Sequence, residues 1–404
     1  MSTEGLEGVL LWTAAHHLAN TCAQPLPTVR ARLDEASGSL LAQPILMLDD
    51  DPAENIAAVN GYALCGQGPW RRTPEETLAP GECFMVRAGT PMPEHADAVM
   101  PLERAVSEQG RGNVITVTGR DILSGLADER VRPAFGDGVL LRGSRTPQGT
   151  QILPAGRLVT AAVLALMAAA GHDEVPIVRP PIVGTLVLGS SLLTSGGSRL
   201  GRARDALGDS VPAFVAALGA RANPAVRAPD IHEVIRAEIE DANVDVLITT
   251  GSTAPDSDNS VRHVLRDLDA RWLIDGVAVT PGAQMLLARL PDGRLVVGLP
   301  GSPQSAFAGL VTLVSPIIRA LRGVPRDDEY PSAVLVDDAP RADFADDTRL
   351  APVRLETDDT DGLLARPMLD SGPAGLIGWG NADAIAIVPP GTGIKGDRVS
   401  LIML

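Results

Sequence analysis

Two carboxylates two positions apart, Asp256 and Asp258, follow a glycine–hydroxyl turn, Gly251-Ser252-Thr253, at the end of an apolar run. Acids so spaced suit a hard cation such as Mg²⁺, which takes oxygen ligands and shares the rest of its shell with phosphate oxygens. The glycine lets a ligand approach the backbone, and Ser252 and Thr253 offer hydroxyls. Asp258 serves equally well as the cap of a following helix, so the residues alone leave both readings open. A second turn, Pro300-Gly301-Ser302-Pro303, sets Ser302 as an N-cap and Pro303 as the first helical residue. Free N–H groups at such a helix start attract oxyanions, although a bare strand–turn–helix junction reads the same way. The third turn, Gly189-Ser190-Ser191, offers hydroxyls that either solvate a loop or hold a ligand. Other chemistries lack their spacing. The six histidines, His16-His17 among them, form no HExxH, no serine sits in a GxSxG elbow, and the usual nucleotide loops are missing.

The elements that must position these turns read as follows. Residues 182–188, 244–249 and 295–299 are short, nearly continuous apolar runs, the pattern of strands buried on both faces of a parallel sheet. Helical spacing fills 211–218, 231–240, 260–268 and 305–321 between and after them. This alternation predicts a doubly wound, mostly parallel α/β domain over 181–325. Each turn then lies beyond a strand's carboxyl end, where open α/β sheets bind ligands. Helical patterns over 6–20 and 29–42, and a helix between Thr160 and Gly171, predict a helical linker domain from 1–51 plus 133–180. Residues 52–132 read as a β-rich domain, and 331–404 as a C-terminal β-barrel-like domain after a charged linker. The fold class is therefore α/β multidomain, with β-rich modules before and after the α/β domain.

Composition limits the partners. The 404 residues carry a net charge of −16, which argues against nucleic acid and against anionic membrane surfaces. An anionic small molecule needs a site made locally positive by backbone N–H groups, a metal ion or a few arginines, because Lys395 is the chain's only lysine. Cys22, Cys65 and Cys83 have no metal spacing and read as buried thiols of a reducing compartment. The N-terminus MSTEGLEG has no basic region, and the apolar run 160–171 is too short to span a bilayer. A cytoplasmic protein is the expectation.

From about Leu33 to the C-terminus, the chain resembles the molybdopterin molybdenumtransferase family. LDEASGSLLAQPI is similar to its LxEAxGRxLAxxV segment, NIAAVNGYAL to its NSAMDGYA signature, and MVRAGTPMPEHADAVMPLE, ending at Glu103, to TGxxxPxGADAVVxxE. ILPAGRLVTAAVLALMAAAG resembles the interdomain helix. DVLITTGSTAPDSD, VAVTPGAQ and GLPGSPQSA stand where the family has DVxxxSGGVSVGxxD, VxxKPGKP and GLPGNPVSA. The resemblance implies insertion of molybdate into adenylylated molybdopterin with release of AMP, aided by Mg²⁺. It implies an elongated homodimer with an anionic pterin ligand and a site shared between subunits. Carried over residue by residue, Asp256 and Asp258 are the metal and catalytic acids. Gly251, Ser252, Thr253, Pro281, Gly282, Pro300, Gly301, Ser302, Pro303, Ser190, Ser191, Asn60 and Glu103 are the substrate-binding positions. The chain departs from the family pattern at several of these points. Asn60 replaces the signature Asp, Ser190 and Ser191 replace an acidic pair, and Gly143-Ser144-Arg145 stands for GED. Thr280 and Ala283 replace both lysines of KPGKP, whose last Pro is Gln284. Three readings stay open: a transferase with a divergent site, a non-catalytic homodimeric relative that binds or scaffolds, and a different reaction on a related nucleotide-linked ligand.

Overall fold

A computed structural model describes residues 8–109, 115–121, 123–128, 130–254, 261–324, 330–358, 362–369 and 371–404. The chain divides into two compact units, Met1–Arg30 with Gly38–Ala42 and Pro176–Leu404, and Ala31–Ser37 with Gln43–Val175.

The first unit is built on a mixed sheet. We label its parallel strands β1 (Ile182–Leu188), β2 (Val226–Ala228), β3 (Val246–Thr250) and β4 (Leu295–Leu299). β1 pairs with β2 on one side and β3 on the other, and β3 pairs with β4. Antiparallel strands Leu286–Arg289 and Arg271–Asp275 extend the far edge. Alternation along each strand sends side chains to two cores. Val183, Val246, Ile248 and Val297 face Val211, Val215 and Ile317, while Leu186, Leu247 and Val296 face Ile235, Ile239 and Leu265. Burial on both faces is why the runs read as continuously apolar.

One helical stretch, Pro303–Arg322, follows β4 and contains a π-helical turn at Leu310–Val314. It is long and apolar enough to cross a membrane, yet most of that stretch is buried inside the domain. Its π turn receives Trp12–Thr21, the N-terminal helix. Trp12 Nε1 donates to Thr312 Oγ1 at 3.0 Å, and His16 Nδ1 lies 3.0 Å from the Thr312 carbonyl. A carbonyl only accepts, so Nδ1 carries the proton, and neutral Nε2 accepts from the Tyr330 hydroxyl at 2.6 Å.

The C-terminal strands close on themselves. Thr348–Asp358 pairs with both Gly362–Pro367 and Ala384–Val388, and the ring is completed through Ser332–Leu335 and Arg398–Met403. Small side chains, Ala333, Ala351, Ala365, Ala384 and Ala386, fill this narrow barrel. Strand Val277–Thr280 joins its sheet by pairing in parallel with residues 348–349.

In the second unit, six strands order as 98–101, 61–65, 82–86, 70–72, 115–119 and 105–109 around Leu64, Trp70, Met100 and Val117. Thr160 caps helix Ala161–Ala169 by accepting from Val163 N at 3.4 Å, and Gly171 ends that segment at φ +92°.

Strands β1 and β4 match the sequence expectation residue for residue. The helix expected at 29–42 is absent: Thr28–Arg32 is a strand, turns follow, and Gly38 sits at φ +75°. Apolar spacing there mimics a helix, but Val29 and Ala31 alternating with exposed Thr28, Arg30 and Arg32 fit a strand, and glycine breaks the remainder. The helix expected over 6–20 begins only at Trp12.

Candidate functional site

The chain leaves β1 towards β2 on one side, then returns to form β3 on the other side of β1. It leaves β3 away from β1. Connections that depart in opposite directions from adjacent parallel strands open a crevice beyond their carboxyl ends. The loops Gly189–Ser191 and Gly251–Thr253 therefore flank the topological switch point, and Pro300–Pro303 continues the row beyond β4.

Close backbone approach defines the crevice floor. A Cβ on Gly251, at φ +91°, would stand 3.1 Å from the Leu188 carbonyl oxygen, and a Cβ on Gly301 would stand 3.4 Å from Gly251 Cα. Ser252 holds φ at +54°, a conformation costing about 1–3 kcal/mol in a non-glycine residue and concentrated at functional sites. Gly301 and Ser302 are exposed, and Ser302 makes no side-chain cap bond, so its hydroxyl is available to a ligand.

The β3 loop is braced from behind by Arg262, only 5% exposed, a residue the sequence reading did not single out. Its Nε donates to Thr253 O at 2.8 Å, its Nη2 reaches Gln284 O at 3.5 Å, and its Nη1 ion-pairs with Asp275. Its guanidinium also lies 5.9 Å from the Trp272 ring centroid. Burial, and then the neighbouring Arg266, hold its pKa below the ordinary arginine value. The brace fixes Thr253, itself buried, so Thr253 presents backbone more than hydroxyl. No spacing signal marks Arg262, because a lone arginine in a helix reads as a solvated side chain.

The β1 loop is organised differently. Arg199 and Arg202 exchange backbone hydrogen bonds at 3.1 and 2.9 Å around Leu200 and Gly201, both at positive φ, as in a tight hairpin turn. Arg202 Nε and Nη2 then donate to Ser191 O and Leu192 O at 3.0 and 3.1 Å. A guanidinium thus rests on the Ser191–Leu192 turn. Below it, Asp205 accepts from Leu207 N, Gly208 N and Arg227 Nε. Burial pushes the Asp205 carboxyl up, but these donors together hold it below the usual carboxylate range.

The remaining predicted positions lie elsewhere. Pro281 and Gly282 are buried, and a Cβ on Gly282 would meet Ser305 O at 3.1 Å, so they back the helix that starts at Pro303. Thr280 is 3% exposed and fully engaged: its Oγ1 donates to Asp347 Oδ2 at 2.7 Å and accepts from Asp343 N at 3.0 Å. Asn60 and Glu103 belong to the second unit, where Asn60 Oδ1 accepts from Ala88 N and its carbonyl from Leu102 N. Asp256 and Asp258 lie outside the described residues. Among the described residues no three His, Cys, Asp or Glu side chains gather as a metal site.

Comparison with known proteins gives this geometry a family. Residues 12–171 match the family described as MoeA N-terminal region (domain I and II), and residues 184–320 the probable molybdopterin binding domain. The molybdopterin molybdenumtransferase of Bacillus subtilis is 30% identical over 339 residues, covering 82% of this chain and 74% of that protein. The chain belongs to the molybdopterin molybdenumtransferase family. The Nostoc molybdopterin molybdenumtransferase is 26% identical over 320 residues, 72% of this chain and 69% of that protein. The crystal structure of the molybdopterin biosynthesis MoeA protein from Pyrococcus horikoshii shares the fold, with a TM-score of 0.75 at 22% identity over 98% of this chain and 99% of that one. In this chain the crevice floor is glycine, Thr280 is tied to the barrel, and Arg202 rests on the β1 turn.

Proposed function

We propose that this protein acts in molybdenum cofactor biosynthesis, inserting molybdate into adenylylated molybdopterin with release of AMP. The observation that carries the reading is the switch-point crevice, whose floor is Gly251 against Gly301, in a chain of this family. Backbone N–H groups at the start of the Pro303 helix, with the Ser252 and Ser302 hydroxyls, offer donors to phosphate or oxyanion. Ser190 and Ser191 rim the same crevice, Pro300 opens the turn beyond β4, and Pro281 and Gly282 support the Pro303 helix from behind. Asp256 and Asp258 would hold Mg²⁺, which when bound supplies Lewis acidity towards phosphate oxygens. The chain would work in the cytoplasm as a homodimer, with Asn60 and Glu103 contributing to a shared site.

A second reading, a pterin-binding relative without catalysis, is favoured by one observation. The position of the family's first KPGKP lysine is Thr280, whose hydroxyl is spent on Asp347 and Asp343. One experiment separates the two. The purified chain is incubated with adenylylated molybdopterin, molybdate and Mg²⁺, and AMP is quantified. Stoichiometric AMP release supports the transferase, binding without release supports the relative, and absence of binding overturns both.

A further inference from the structure

Molybdopterin-type ligands carry phosphate, and a chain at −16 with one lysine must place positive charge deliberately to receive it. The loop after β1 does so with Arg199, Arg202 and Arg204. Among the described residues, the nearby acids are engaged elsewhere. Asp205 is taken by Arg227 at 2.7 Å and by two backbone N–H groups, and Asp209 faces Arg227 at 3.5 Å. Among the described residues, Arg199, Arg202 and Arg204 make no ion pair.

Two further observations point to a ligand. Arg202 uses Nε and Nη2 to grip the Ser191 and Leu192 carbonyls, which locks its guanidinium onto the crevice rim and leaves other N–H donors unspent. Arg204 Nη1 is shielded from solvent and meets no hydrogen-bond partner among the described residues. A guanidinium nitrogen withdrawn from water without an acceptor is costly, and a bound oxyanion removes that cost. Arginine's planar fork matches phosphate better than a point charge does.

We propose that residues 189–204 form an arginine-lined anion subsite of the crevice, where Arg202 and Arg204 take a phosphate or diphosphate group directly. The proposal rests on the pterin-ligand reading above for its biological ligand, but not for its chemistry. It places the anion on guanidinium where the family's pattern places carboxylates, so binding of the phosphate end requires no bridging divalent cation.

The test is calorimetric titration of the full chain with inorganic diphosphate in EDTA. Expected is saturable binding that weakens as salt rises, and at least about tenfold weaker binding in Arg204→Gln and in Arg202→Gln. Arg202→Lys should recover part of the loss, and Arg130→Gln, an exposed arginine of the second unit, should lose nothing. Arg199→Gln, at the exposed hairpin, serves if Arg202→Gln perturbs the loop, and thermal melting reports folding in each case. No binding in EDTA, or unchanged binding in a folded Arg204→Gln, overturns the subsite. If diphosphate binds as expected but adenylylated molybdopterin does not, the functional reading fails and the subsite stands. If molybdopterin binds equally to wild type and Arg204→Gln, the reverse holds.

Discussion

Two neighbouring loops face each other across the switch point, and they spend their polar groups in opposite ways. The β3 loop is saturated from behind. Gly251 N donates to Leu299 O, Val261 N to Ser252 O, and buried Arg262 ties Thr253 to Gln284 and Asp275. The β1 loop stands on one anchored base, Asp205 with Arg227, and above that base leaves guanidinium donors unspent. Satisfied polar groups hold shape, whereas unsatisfied ones store cost that a ligand can relieve. One wall is stiff and the other is a receiver.

That contrast can be broken by mutation. Arg262→Ala should be the most damaging substitution. It leaves Asp275 and two carbonyls without their partner and should cost about 3–5 kcal/mol in urea unfolding. Arg262→Lys should restore little, because a point charge cannot reach three acceptors at once. Asp205→Ala comes next, at about 1–3 kcal/mol, since it frees Leu207 N, Gly208 N and Arg227 together.

The Asp205 link also sets a pH dependence. Its folded pKa lies below its ordinary 3.8, so the folded state holds the proton less tightly than the unfolded one. The stabilisation is fully present above the unfolded value and is lost as pH falls from about 3.8 through the lower folded value. Acid unfolding of wild type and Asp205→Asn should differ in that window and converge below it. The smallest expected effect is the sharpest for the contrast. Arg204→Gln should leave stability unchanged or slightly raised, since it withdraws the shielded Nη1 donor that has no acceptor among the described residues, while it weakens diphosphate binding. A stability loss as large as that of Arg262→Ala would erase the distinction between the two loops.

How much of this was legible in the sequence follows from the range of the interactions. β1 and β4 were readable to the residue, because burial on both faces leaves an unbroken apolar run. The crevice loops were readable as glycine turns beyond strand ends. The segment 29–42 was misread, since short apolar spacing does not separate helix from strand until pairing decides it. Two features of the site depend on partners distant in the chain. Thr280 finds Asp347 sixty-seven positions away, which ties a turn expected to shape the pocket to the barrel instead. Arg262 meets Gln284 and Asp275 only once the sheet has formed. The π turn at Leu310–Val314 likewise has no sequence signature; its Thr312 is held by Trp12 and His16 from three hundred positions earlier.

The central claim is that the crevice between the β1 and β3 loops is where this protein holds its pterin ligand. Titrating adenylylated molybdopterin into wild type and into Gly251→Val, with melting curves to establish folding, addresses it directly. Saturable binding to wild type and its loss in the folded variant are expected, since the added side chain would press on the Leu188 carbonyl beneath the crevice. Equal affinity in both proteins would contradict it.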